Sequence, residues 1–551
     1  MSISNDKTAV DNDENIKFDN EYQAETYEAK TGVVESSTAS VEEDTPLTEK
    51  EAGDAALANA PWQYKLIALV TALLFPLGSH FSTSAISAMK GSIKTVMKLT
   101  NLHISNTQYG VLSSSVSIIN TVFPIAGGVF IDMFGSVWGT LAINLVVIIG
   151  SLLTAIAAKY NSYGLMVAGR VIFGIGSGLI VTMQESILSK WFRTQNLSIA
   201  IGLQLSISRL ATFLGTLVAN PIAEKTGDWV WSLWLSFIIC CFSILMNLIY
   251  ALIVRHLRKP TGNTNGIAII SKEEVKKVKA RKAFHWRSVL KFPAIYWHIL
   301  LIEFIFAAVW SSFQTISTEF VTIHFGVNNS ILAGYTASAS QSIPIVATPV
   351  LGIVMDLFGL RITILLLSAV FLIASSALLG WTYVNATVGM IFYSISLAFG
   401  PIGMITSIGM ILPSDYIGTG LGLYKASNNI GTTILDIVVG VVQDHTANQA
   451  YTGVMILFLT LACIGFVLIG LLWVSQYYYH DNLLETGRKD RLSRMKERNE
   501  HELALNKQGL DSYDSTIIRP LNYVYLGIFI TCLLIAWVLF FVYSASGKIS
   551  A

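Results

Sequence analysis

The chain alternates long apolar runs with short polar breaks. A bilayer core needs about twenty apolar residues per helix. Runs of that kind occupy 63–88, 107–131, 137–158, 163–190, 196–223 and 229–254. After a basic stretch they resume at 294–324, 329–355, 361–381, 385–412, 418–443 and 449–478, and one more run covers 521–543. The pattern predicts six spans, a linker, six spans and an extra helix.

This divides the 551 residues into an acidic tail (1–60), a six-helix bundle (61–254), a basic linker (255–293), a second six-helix bundle (294–478), a charged linker (479–520), an added transmembrane helix (521–543) and a short tail (544–551). The first tail is rich in Ser, Thr and Asn without apolar periodicity, so disorder is expected there. Nothing at its start resembles a cleavable signal peptide, which leaves the first span as the signal anchor. Lys and Arg set the orientation. The stretch 255–291 carries 11 basic residues against two acidic ones, and 488–498 carries six basic residues. With the N-terminus cytoplasmic, both lie inside and the last residues are luminal or extracellular. Lys90, Lys94 and Lys98, in the first outer loop, dissent. The glycosylation sequons Asn328-Asn329-Ser330 and Asn385-Ala386-Thr387 fall outside in this topology, whereas Asn196-Leu197-Ser198 falls inside.

Composition sharpens the picture. Hydrophobic residues make up 53% and charged residues 13%, with a mean hydropathy of +0.58. A soluble domain needs roughly a quarter of its residues charged. The charges cluster in 1–60, 255–291 and 481–519, leaving 23 for the other 415 positions. That excludes a soluble enzyme, and it excludes a nucleic-acid binder, because no basic face can be built. The four cysteines all fall in apolar runs, so neither a disulfide framework nor a metal site is expected. No catalytic set is present, and neither linker could fold a nucleotide-hydrolysing domain. The expected partners are a small-molecule solute and the lipid bilayer, with no cofactor and no nucleic acid. An accessory membrane protein stays open as a further partner; otherwise a monomer is expected.

An internal repeat supports two related halves. Gly128-x-x-x-Asp132-x-Phe134-Gly135 recurs as Gly352-x-x-x-Asp356-x-Phe358-Gly359, and the run Gly202 to Arg209 recurs at Gly422 to Asn429. Halves of common origin suit a rocking transporter with its site near midplane. The loop motif Gly-x-x-x-Asp-x-x-Gly-x-Arg/Lys is complete in the second half, ending at Arg361; in the first half Val137 replaces the basic residue. With Arg170-x-x-x-Gly174-x-Gly176 in the fourth helix, the chain resembles the major facilitator superfamily over about residues 62–478. The fold this implies is all-α: two six-helix bundles around a central cavity, here with a thirteenth C-terminal transmembrane helix.

Within that superfamily the chain looks like the lysosomal dipeptide uniporter group. The resembling runs are Gly169 to Gly176, Ile201 to Ser206 leading to Arg209, and Asn429-Ile430-Gly431. In that group a glutamate of helix four meets the peptide amine and an arginine of helix five meets the carboxylate. Arg209 falls on the arginine position, but the glutamate position falls on Gly178. A lysosome-like or vacuolar membrane is implied, with the plasma membrane as the alternative.

Charges inside spans need a reason, since each costs at least about 2.5–3.5 kcal/mol on insertion scales. Arg209 lies mid-helix, beyond snorkelling reach, and its fork suits a carboxylate. It either binds a solute acid or pairs internally with Glu303 or Asp436. Lys425, Asn428, Thr432 and Asp436 share one face of helix eleven. That face either lines the cavity or forms an interhelical seam. Asn429, Gln204 and Tyr424 complete the substrate-binding candidates. Gating falls to Asp132, Asp356, Arg361 and Arg170, and to a cytoplasmic network of Glu185 with Arg193. Proton coupling falls to His80, Glu303 and Asp436, because buried carboxyls and histidines titrate near neutrality.

The function expected is alternating-access transport, active or facilitative, of a small carboxylate-bearing solute that is dipeptide- or amino-acid-like. The alternatives are a drug or monocarboxylate transporter of the same superfamily, and a non-transporting receptor or scaffold.

Overall fold

The computed structural model describes residues 61–99, 104–124, 136–192, 197–258, 289–382, 385–412, 416–494 and 520–546, with Glu497 and Glu500. The acidic tail, most of both linkers, Asp132 and Arg193 lie outside the described residues.

The first span is two helices, α1 (Trp62–Leu74) and α2 (Leu77–Ala88). Pro76 separates them because it has no N–H to give the ladder. After a short helix α3 (Lys90–Leu99), the first half continues through α4 (Asn106–Ile119), α5 (Ser136–Lys159), α6 (Tyr163–Trp191), α7 (Leu197–Thr226) and α8 (Val230–Arg258). The second half starts with α9 (Ala294–His324) and a second broken span. Here α10 (Ser330–Ser338) passes through a 3₁₀ turn at Ala339–Gln341 into α11 (Ser342–Phe358). Then come α12 (Arg361–Trp381), α13 (Ala386–Ile411), α14 (Ile417–His445) and α15 (Thr452–Tyr479), with α16 (Pro520–Ser546) after the second linker. The described residues contain no strand. Among them, eleven segments are helical, long and apolar enough to cross a membrane. α4 and α14 fall outside that group: α4 is described over only 14 residues, and α14 carries Lys425, Asp436 and Asp444.

Among the described residues, the halves meet chiefly where α4 packs on α14, α7 on α10 and α11, and α2 on α9. In lipid, helices associate through close packing rather than water exclusion, and small residues permit the approach. A Cβ on Gly440 would stand 2.5 Å from the Asn106 carbonyl oxygen, and one on Gly110 would overlap the Asp436 carbonyl. Those two glycines let the α4 and α14 backbones touch.

α16 covers this seam from outside. Ala536 and Phe540 pack with Val111 and Ile118 of α4 and with Ile430 and Ile437 of α14. Trp537 Nε1 donates to Thr121 Oγ1 (3.2 Å). Near its start, Asn522 Nδ2 donates to the carbonyls of Leu290 (2.6 Å) and Phe292 (3.1 Å).

The chain after α15 folds back on the second half. Glu485 Oε1 accepts from the Ile362 and Thr363 amides (2.8 and 2.9 Å), placing an anion on the first turn of α12. Gly359 makes the turn before α12 at φ +83, where a Cβ would strike the Glu485 and Thr486 carbonyls. We call this end of the bundle, which carries both linkers, the linker end, and its opposite the far end.

Candidate functional site

Both broken spans serve one cavity. Pro76 starts α2, whose polar residues His80, Thr83, Ser84 and Ser87 reach inward, and the 3₁₀ turn contributes Ser340 and Gln341. The cavity is about 250 Å³, lies between the halves and is lined by hydroxyl and amide groups, with Val116 as its apolar member among the described residues. Two charged side chains line it from opposite halves: Arg209 of α7 and Asp436 of α14.

Among the described residues, Arg209 makes no ion pair with a carboxylate. The internal pair with Glu303 or Asp436 is therefore not formed. Glu303 is 1% exposed and lies behind Asn428, whose Nδ2 donates to its Oε1 at 2.7 Å. Asp436 is 4% exposed, and its Oδ1 has no hydrogen-bond partner among the described residues. His80 shares the wall with Arg209, and its Nε2 is likewise without a partner there.

The remaining substrate-binding candidates divide. Asn428 and Asn429 line the cavity, and Asn429 Nδ2 donates to the Lys425 carbonyl (2.7 Å) in its own helix. Gln204 and Tyr424 are buried away from it. Lys425 does not line it either. Its ammonium is held 2.5 Å from Glu185 Oε2, making a bond between the halves toward the linker end. The Glu185 partner in this structure is thus Lys425, and Arg193 lies outside the described residues. Lys425 and Asp436 sit eleven residues apart on α14, about 16 Å along the axis, so they belong to different levels.

The other gating candidates act within one half. Asp356 Oδ1 pairs with Arg491 Nη1 (2.9 Å), from the linker that folds back. Arg361 is 2% exposed, with its Nη2 near the Met355 carbonyl (3.5 Å). Arg170 is equally buried, with its guanidinium 5.0 Å from the Phe173 ring centre. Asp132 lies outside the described residues.

The far end holds a contact between the halves that sequence reasoning missed. Glu319 of α9 takes Lys90 (2.7 Å) and Lys94 (3.0 Å) and accepts a hydrogen bond from the Tyr451 hydroxyl. Lys90 also donates to Gln443 Oε1 at 2.9 Å. Burial pulls the Lys90 ammonium below the usual lysine range, and Glu319 opposes that pull. Beside this cluster Asp444 caps α4: its Oδ1 accepts from the Asn106 amide (2.9 Å) and its Oδ2 from the Thr107 amide (2.8 Å).

This arrangement, a polar cavity between two halves with contacts joining them on either side, is that of a carrier. The model of the Major Facilitator Superfamily matches residues 68–435. The chain belongs to the major facilitator superfamily. It is a multi-pass membrane transporter of that group. It is similar to the lysosomal dipeptide transporter MFSD1 of Bos taurus, 24% identical over 436 residues, covering 77% of this chain and 89% of the relative. Among solved structures it resembles a D-xylose-proton symporter (TM-score 0.58, 16% identity, 74% of this chain and 97% of that one). It also resembles the peptide transporter POT in complex with sulfate (TM-score 0.56, 14% identity, 80% and 100%). At such identity these two structures speak for the fold alone.

Gly178 of α6 lies against Asn120. A side chain on Gly178 would overlap Asn120 Oδ1 of the turn after α4.

Proposed function

We propose that the protein carries a small carboxylate-bearing solute, amino-acid- or dipeptide-like, across a lysosome-like or vacuolar membrane. The observation that carries this reading is Arg209: a guanidinium lining the cavity between the halves, with no carboxylate partner among the described residues. Such a group is costly unless a visiting anion completes it. The cavity of about 250 Å³ is below the range of about 300–1,000 Å³ typical of drug-sized ligands. Its hydroxyl lining suits a polar solute over a lipophilic cation. The likeness to MFSD1 supports the solute class and the compartment.

Transport follows from the contacts that join the halves toward either end. Breaking Glu185–Lys425 while the far-end cluster holds opens the cavity at the linker end. Breaking the Glu319 cluster and the Asp444 cap while Glu185–Lys425 holds opens the far end. With the linkers cytoplasmic, the far end is luminal.

The test is uptake by proteoliposomes offered dipeptides, amino acids, monocarboxylates and cationic drugs. Saturable uptake of a dipeptide or amino acid, lost in Arg209→Gln, is expected. Uptake of cationic drugs alone would contradict the reading.

A further inference from the structure

A carboxylate anchor alone does not account for Asp436. This residue is buried on α14, lines the same cavity as Arg209 and leaves Oδ1 without a hydrogen-bond partner among the described residues. None of the ion pairs among those residues includes it. The hydroxyls of Ser113 and Ser312 lie beside it, and the lysine whose charge reaches it, Lys90, is already bound to Glu319. A buried ion pair formed for structure would bring such opposite charges together, since each alone carries a large desolvation cost. Here the cation belongs to one half, the anion to the other, and the cavity separates them.

We propose that Asp436 is the counter-charge for an ammonium group of the solute, so that the cavity selects zwitterions over simple carboxylates. This rests on Arg209 holding the carboxylate. The anion is supplied by α14; on α6, a side chain at Gly178 would meet Asn120 Oδ1. A solute with both charges then ties α7 to α14, which gives the halves a reason to close on it. A solute with a carboxylate alone leaves Asp436 buried and unanswered.

The test uses two probe pairs differing only in the ammonium group: alanyl-alanine with propionyl-alanine, and alanine with propionate. Binding to the purified full chain is measured by calorimetry. Charge-assisted hydrogen bonds to a buried carboxylate predict about tenfold or greater preference for the zwitterion in at least one pair. Asp436→Asn should bring the two members of that pair within about threefold of each other, by weakening the zwitterion and not the analogue. Retained binding of the analogue also reports that the variant is folded. Asp436→Glu should keep part of the preference, and it carries the test if the asparagine variant does not fold. A preference unchanged in either variant would overturn the proposal. So would equal wild-type binding of both members when Arg209→Gln abolishes both, and that result would leave the carboxylate reading intact. Binding indifferent to Arg209→Gln would instead remove the carboxylate reading, and this proposal with it.

Discussion

Glu185 of the first half and Lys425 of the second form a 2.5 Å ion pair that joins α6 to α14 toward the linker end. Both side chains are partly exposed, at 31% and 24%. A pair in that setting contributes about 0.2–1 kcal/mol, so it biases an equilibrium and does not lock it.

Glu185→Gln and Lys425→Gln should each open the linker end more often. With Cys240, Cys241, Cys463 and Cys532 replaced by alanine and Thr212→Cys as reporter, thiol labelling from that side should rise by up to about fivefold. The charge-swapped double variant should restore the wild-type rate. Unchanged labelling in both single variants would show that the pair does not gate.

The far-end cluster should behave differently because it is buried. Lys90 is 1% exposed and Glu319 7%. Removing one partner leaves an uncompensated charge and costs about 3–5 kcal/mol, whereas replacing the pair by apolar residues is often neutral. Glu319→Met should therefore lower the thermal midpoint markedly, with Lys94 losing its partner as well. The triple variant Glu319→Met, Lys90→Met, Lys94→Met should recover most of that loss. A triple variant less stable than Glu319→Met would contradict the account.

Gly178→Glu should be poorly accommodated. The new side chain meets Asn120 Oδ1, and overpacking a helix contact costs about 1–3 kcal/mol. A lower yield of folded protein, relieved in part by Asn120→Ala, is expected on size-exclusion chromatography. Normal folding of Gly178→Glu alone would show that the position has room.

How much was readable beforehand depended on what each signal encodes. Apolar run length is a direct consequence of bilayer thickness, so the helices of both halves and α16 were legible. Arg209 and Asn428 were legible because a polar group inside such a run must face protein or a cavity. Lys425 shows the limit: helical spacing gives a face but not a height, and Lys425 lies one level below Asp436 on the same stripe. The Glu319 cluster was hidden because Lys94 lies 225 residues from Glu319 in sequence, and no local pattern records a contact between halves. Arg491 was read as part of a charged linker, since nothing in 479–520 announces that Glu485 caps α12.

Deleting residues 520–551 should lower the thermal midpoint while leaving solute affinity within about twofold. α16 packs on α4 and α14 but contributes no residue to the cavity lining, and packing energy and binding energy at separated sites act independently. Calorimetry on the truncated chain checks this. Lost binding in a folded, truncated protein would mean that α16 shapes the cavity through the seam.

We propose that the Arg209 guanidinium receives a solute carboxylate through two parallel hydrogen bonds. The most direct measurement compares binding of a transported solute with binding of its primary amide, in wild type and in Arg209→Lys. Wild type should favour the acid by at least about tenfold, and lysine, a point charge without the fork, should lose most of that preference. Equal binding of acid and amide by the wild-type protein would contradict it.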